Sequence, residues 1–319
     1  MQALLQEIKT KINLYEIKFF DTIFFGGGTP SAIDIAFYEP IFELLKKHKS
    51  DQTEVTFEAN PNSATQKWLE DIKSFGANRI SFGVQSFDDE KLKFLGRAHN
   101  GKKAIEALEL ASKIGFDSIN FDILYNVDND SKKLIQSDIL NAKKLNSTHI
   151  SAYSLTIEEK TKFFEMKKIE NQNEEFSRFC IETIKDAGFM QYEISNFALN
   201  SSFISKHNLG YWSGYDYLGC GAGAVECIKN IRRKNVDEIS QYINNYSFNE
   251  EFLSDIDKET EAIFLGLRSC VGISQTKLSQ KNLQNAKFLV QEKKLRFENG
   301  RFFNDDFLIS DELALFVMR

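Results

Sequence analysis

Six places in the first half of the chain carry groups that could bind a small ligand, most of them where an apolar stretch gives out. The first is Gly26-Gly27-Gly28-Thr29-Pro30. Three successive glycines let backbone approach a ligand closely, and a helix start beyond them offers unpaired N–H groups, although the same glycines also suit a plain tight turn. Glu58 ends the stretch Thr53–Glu58 and could hold an ammonium or a ribose hydroxyl. Gln85 follows Arg79–Val84 and can donate or accept through its amide. Arg97, in Gly96-Arg97-Ala98-His99, could clamp a carboxylate or serve in a surface ion pair. Asp122 sits inside Ile119-Asn120-Phe121-Asp122-Ile123-Leu124, where a buried carboxylate needs a partner. Thr156 closes the last of these stretches, after Ser154 and Leu155.

The elements that must position these groups alternate in type. Strands are expected over Asp21–Phe25, Thr53–Glu58, Arg79–Val84, Asp117–Leu124 and His149–Leu155. Helical stretches fall between them: from the glycine turn through Lys49, then Ala64–Phe75, Asp88–Leu95, Lys102–Ile114 and Ser131–Leu145. A helix over Glu174–Ala187 follows, with Gly188 suited to its C-cap. Several strands are almost continuous apolar runs, as expected when both faces are covered. Repeated alternation of this kind builds a parallel sheet, open or closed into a barrel, and in a barrel the chemistry gathers where the strands finish. The six places above therefore fall on one rim.

Before the first strand, Leu4, Leu5, Ile8 and Ile12 recur at helical spacing, so the chain opens within a helix. Past Asn196 the character changes. Residues 207–226 are dense in glycine and aromatics, and the chain after Phe252 reads as helices followed by a hairpin at Leu295–Phe303, turned by Asn299-Gly300. The expected divisions are 1–195, a partial barrel; 196–250, a glycine- and aromatic-rich connector; and 251–319, a small winged-helix-like module.

Composition narrows the function. The 46 acidic and 40 basic residues leave a net charge of −6, which argues against a nucleic-acid partner. No apolar run is long enough to span a membrane, and the first fifteen residues lack a signal-peptide pattern, so a cytoplasmic protein is expected. Cys180, Cys220, Cys227 and Cys270 show no C-x-x-C spacing and read as small buried apolar residues.

Phe24-Phe25-Gly26-Gly27-Gly28-Thr29-Pro30-Ser31 resembles the GGGTPS turn of radical S-adenosylmethionine (SAM) enzymes related to oxygen-independent coproporphyrinogen III oxidase. The likeness continues in order through Phe57-Glu58-Ala59-Asn60-Pro61, Ser81–Phe87, Leu95-Gly96-Arg97 and Asn120-Phe121-Asp122. Ser151–Glu158, Tyr192–Ala198, His207-Asn208-Leu209-Gly210-Tyr211-Trp212 and Tyr217–Ala224 resemble the haem-chaperone (HemW-like) branch. Glu261–Gly272 is similar to the family's C-terminal module.

The resemblance implies a partial parallel (β/α) barrel lacking its first strand, plus the C-terminal module. It implies SAM binding by Gly27, Gly28, Thr29, Glu58, Gln85, Arg97 and Asp122, with backbone contacts from Thr156 and Val225. The family carries C-x-x-x-C-x-x-C ligands for a [4Fe–4S] cluster upstream of the glycine turn. These 319 residues contain no such motif, so the cluster's normal ligands are absent from them, and N-terminal truncation is expected ahead of the alternative, a natural cluster-free relative. A second departure is Tyr125-Asn126-Val127-Asp128, where the family often has Y-G-L-P, so that loop is expected to be reshaped.

Two functions follow from the resemblance. One is a haem chaperone that binds haem as cargo and delivers it to haem-accepting proteins, membrane-bound ones among them. His207 would contact the iron, and Tyr211 and Trp212 would pack on the porphyrin. His48 and His149 are expected to be ordinary. The other is oxidative decarboxylation of coproporphyrinogen III, which needs the cluster and would be inactive in this form.

Overall fold

A computed structural model describes residues 1–157, 173–244 and 247–319, and the chain divides into two compact units that interleave along the sequence. One comprises Thr22–Ala36 and Glu54–Ile204; the other comprises Met1–Asp21, Phe37–Thr53 and Ser205–Arg319. The expected divisions at 195 and 250 run in sequence, whereas these units are assembled by tertiary packing. Glu158, the last residue of one motif above, lies outside the described residues.

In chain order the elements up to residue 204 are α1 (Gln2–Leu14), β1 (Thr22–Phe25), α2 (Glu39–Leu45), β2 (Glu54–Ala59), α3 (Gln66–Ser74), β3 (Arg79–Gln85), α4 (Asp89–Phe94), α5 (Gly101–Ile114), β4 (Ser118–Tyr125), α6 (Lys132–Lys144), β5 (His149–Ser154), α7 (Glu174–Asp186), β6 (Met190–Gln191) and β7 (Asn196–Ala198). Among the described residues these strands form a seven-stranded sheet in the order β1-β2-β3-β4-β5-β7-β6. The first five run parallel; β7 and β6 are antiparallel to their neighbours.

Helix starts here are set by local capping. Thr65, Asn100 and Ser131 each accept a hydrogen bond from a first-turn N–H of α3, α5 and α6. Only the stretch after the glycine turn departs from a simple helix. Residues Pro30–Ala32 and Ile35–Phe37 make separate 3-10 turns, and Asp34 Oδ1 accepts from the Ala36 N–H at 3.0 Å. That side-chain turn competes with helical propagation.

The two faces of the parallel sheet differ. Val55, Phe57, Ile80, Phe82, Val84, Ile119, Phe121, Ile123 and Ile150 are buried on one face. The alternate positions are polar, and register lines them up: Glu58 pairs with Ser81, Ser81 with Asn120, and Asn120 with His149. The runs expected to be apolar on both faces therefore carry a polar inner face.

The other unit uses α1, α2 and the elements after residue 204: α8 (Lys206–Ser213), β8 (Val225–Ile228), β9 (Ile231–Asn235), α9 (Ile239–Asn244), β10 (Phe248–Phe252), α10 (Asp255–Leu267), β11 (Ile273–Ser274), α11 (Gln280–Gln291), β12 (Arg296–Glu298), β13 (Arg301–Phe303) and α12 (Ser310–Val317). Strands β10-β9-β8 form one antiparallel sheet and β11-β13-β12 another. The expected hairpin is present: Asn299 (φ 49°) and Gly300 (φ 76°) turn β12 into β13, both with the positive φ of a type I′ turn. Ile263, Leu267, Ile273, Leu289, Phe302 and Val317 form the core beneath it.

Helix α1 buries a different stripe from the one its apolar residues suggest. Glu7, Lys11 and Ile12 are buried, while Leu4, Leu5 and Ile8 are half-buried. Lys11 Nζ lies 2.9 Å from Glu7 and 2.7 Å from Glu226, and donates to the Gly219 carbonyl at 2.6 Å. Glu7 in turn accepts from the Gly221 N–H, Asn235 Nδ2 and Tyr242 Oη. The charges are buried because each is paired.

Candidate functional site

At the ends of β1 to β4 the structure brings together most of the expected binding groups. Gly27 has φ 83° and donates its N–H to Glu58 Oε2 at 3.1 Å. A β-carbon at Gly27 or Gly28 would meet nothing within 4 Å, so open space lies before this backbone. At Gly26 a β-carbon would stand 2.5 Å from the Phe24 ring and 2.7 Å from Glu58 Oε2, so a larger residue would have to push these side chains aside. Thr29 is exposed at the start of the 3-10 turn.

Glu58 is half-buried; burial raises its carboxyl pKa, against the lowering effect of the Gly27 N–H. One pleat further in, Thr56 Oγ1 is buried with no hydrogen-bond partner. Gln85 is buried at the end of β3 with φ 70°, a conformation uncommon outside glycine, and the β3–β4 pairing shifts register beside it. Arg97 is exposed in the turn after α4.

Asp122 Oδ1 accepts from Asn120 Nδ2 at 2.8 Å. Burial pushes its carboxyl pKa up to about 6; hydrogen bonds from Asn120 and Ser151 oppose this, the charge of Glu58 adds to it, and Arg97 counters it. Glu58, Arg97 and Asp122 thus share one electrostatic neighbourhood. Thr156 is exposed two residues past β5, whose following residue, Leu155, donates its N–H to the Tyr125 carbonyl at 2.8 Å. Val225 opens β8 and belongs to the other compact unit.

Sequence reading misses the group that holds Asp122. Asn120 Nδ2 donates to both Ser81 Oγ (2.7 Å) and Asp122, so its Oδ1 is the acceptor for His149 Nδ1 at 2.6 Å. His149 therefore carries its proton on Nδ1, and Nε2 accepts from the Tyr192 hydroxyl at 2.8 Å. Burial holds this imidazole well below the ordinary histidine pKa, so it is neutral. His149 is, as expected, a buried core histidine with both ring nitrogens hydrogen-bonded, and Asn120 links it to Asp122. The only sequence signal was a histidine in line with polar residues at alternate strand positions.

In Tyr125-Asn126-Val127-Asp128, Asn126 takes φ 60°, a value glycine adopts freely and asparagine tolerates. Its Nδ2 donates to Ser154 Oγ at 2.9 Å and Ser177 Oγ at 3.0 Å.

In the other unit, His207, Tyr211 and Trp212 all lie on α8. His207 and Tyr211, four residues apart, meet edge to face with ring centroids 4.9 Å apart, and Tyr211 meets Tyr217 at 4.7 Å. Trp212, five residues from His207, points about 140° around the helix from it. Tyr211 thus shares the histidine's face and Trp212 does not.

Five parallel strands alternating with helices, with a glycine turn after the first, make this a parallel α/β protein, and the radical SAM superfamily profile matches residues 3–137. The solved structure of coproporphyrinogen III oxidase (HemN) from Escherichia coli superposes with a TM-score of 0.81, covering 99% of this chain and 82% of that one, at 19% identity. The haem chaperone HemW of Bacillus subtilis is 35% identical over 277 residues, spanning 82% of this chain and 73% of that protein. HemW of Lactococcus lactis is 30% identical over 294 residues, spanning 88% and 77%. The chain belongs to the HemW family of haem chaperones within the radical SAM superfamily.

Membership implies SAM and a [4Fe–4S] cluster as cofactors. The rim fits SAM: open space before the glycine backbone, half-used carboxylates and an orphaned Thr56 hydroxyl all offer polar partners. The cysteines of these residues do not fit the cluster. Burial pushes the thiols of Cys180 and Cys220 up to about 12, Cys270 is exposed, and among the described residues no three metal-ligating side chains converge. Among those residues, no helix is long and apolar enough to cross a membrane.

Proposed function

We propose that this chain binds haem and passes it to haem-accepting proteins, membrane-bound ones among them, with His207 meeting the iron. The observation that carries this is the pairing of His207 with Tyr211 on one face of α8, in a chain about a third identical to haem chaperones. An imidazole can ligate haem iron, and an aromatic ring beside it supplies apolar surface for a porphyrin. Tyr211 takes that packing role rather than Trp212. Four scattered cysteines with no C-x-x-C spacing suit a reducing compartment such as the cytoplasm.

SAM is assigned to the rim of Gly27, Gly28, Thr29, Glu58, Gln85, Arg97, Asp122 and Thr156. When bound there, SAM supplies a sulfonium and a nucleoside. This chain's own residues bind and orient it through the Gly27–Glu58 pair and the Asn120-supported Asp122. The oxidase alternative draws only its fold from this structure, because the likeness to that enzyme is 19% in sequence.

The test is a haem titration read at the Soret band, wild type beside His207→Ala. The expected result is weaker binding and a displaced band in the variant. Superimposable titrations would remove His207 from the site.

A further inference from the structure

We propose that Lys277 is the anion anchor of the haem site: its ammonium receives a porphyrin propionate while His207, on the same face of α8, meets the iron. This inference rests on the haem reading above. Helix α8 ends on Gly214, whose φ of 70° closes it in the left-handed conformation. At about 100° per residue, Gly210, Tyr211 and Gly214 all fall within roughly 60° of His207 around the helix. A β-carbon at Gly210 would meet only the Tyr215 ring, at 3.8 Å; one at Gly214 would meet the Lys277 ammonium, at 3.7 Å. Between His207 and Lys277 the face therefore carries two glycines, bordered by the Tyr211 and Tyr215 rings.

The spacing and the charge both suit a porphyrin carboxylate. Gly214 lies about 10 Å along the axis from His207, comparable with the reach from a porphyrin's centre to the end of a propionate arm. The nearby cation beside Tyr217, Arg232, is already taken by Glu251 (3.3 Å) and Glu261 (2.5 Å). Glu259, whose carboxylate meets the loop after Lys277, is engaged by the Ser279 N–H at 2.6 Å and Asn282 Nδ2 at 2.7 Å. Among the described residues Lys277 makes no ion pair, and it is exposed. An ammonium at a helix C-terminus also favours the terminal carbonyls, so the test must separate that structural role from binding.

Haem and its dimethyl ester, whose two carboxylates are neutralised, are titrated into wild type, Lys277→Gln, Lys277→Arg and His207→Ala. Lys277→Gln is expected to weaken haem binding roughly five- to tenfold and to leave ester binding within about twofold of wild type. Lys277→Arg, which keeps the charge, is expected to bind haem as wild type does. Equal losses for haem and ester, no loss for either, or an arginine variant that behaves like the glutamine one, overturns the role of Lys277. His207→Ala binding haem as wild type does would instead overturn the haem reading on which it rests, so the two failures are distinguishable.

Discussion

Asp122→Asn is expected to stabilise the protein near neutral pH while damaging the rim. The acid's pKa rises from an ordinary 3.8 to about 6 in the folded chain, chiefly through burial. The folded state therefore holds a proton that the unfolded chain has already lost, and stability falls as pH rises from about 4 through 6. Below the unfolded value both states are protonated and the cost vanishes. A gap of this size corresponds to about 3 kcal/mol at most at pH 7, and water at the rim screens part of it. Asparagine keeps an oxygen to accept from Asn120 Nδ2 but has no charge to bury. Urea unfolding at pH 4, 6 and 7.5 should show the variant gaining on wild type across that range, with the higher midpoint at pH 7.5. Equal stabilities at pH 7.5, or a variant that gains only at pH 4, would refute the assignment of Asp122 as a half-buried, reluctantly ionised acid.

Two further substitutions probe the elements that hold each site. Lys11→Met leaves Glu7 buried without its cation and Glu226 with only Arg233, at 3.4 Å, which should cost about 3–5 kcal/mol in urea unfolding; adding Glu226→Gln should recover part of it, and a single variant within about 1 kcal/mol of wild type would count against the pairing. Gly26→Ala places a methyl against Glu58 Oε2 and the Phe24 ring, forcing Glu58 off the Gly27 N–H. In NMR titration the Gly27 amide shift should then lose its dependence on Glu58 ionisation, and an unchanged titration would show that the contact survives.

Much of the first unit was legible because strand and helix alternate with capped starts. β3, β4, β5, α5, α6 and α7 begin and end within a residue or so of the expected bounds. Asn299-Gly300 announced its hairpin for the same local reason: both residues tolerate positive φ. What could not be read depends on partners far along the chain. Lys11 and Glu7 looked like the wet side of an amphipathic helix, and are buried because Glu226, Asn235 and Tyr242 meet them. His149 looked unremarkable because its meaning lies in Asn120 and Tyr192. The interleaved units follow from packing of α1 and α2 with residues after 204, which no boundary signal marks.

The central claim is delivery, and haem transfer measures it most directly. The chain is loaded with haem, mixed with an apo-haemoprotein, and the recipient's Soret spectrum followed with and without an excess of a competing haem-binding protein as scavenger. A haem chaperone should fill the recipient at a rate the scavenger leaves unchanged, and His207→Ala should lose that protected route. Transfer abolished by the scavenger would mean that haem merely dissociates into solution, and would contradict the account.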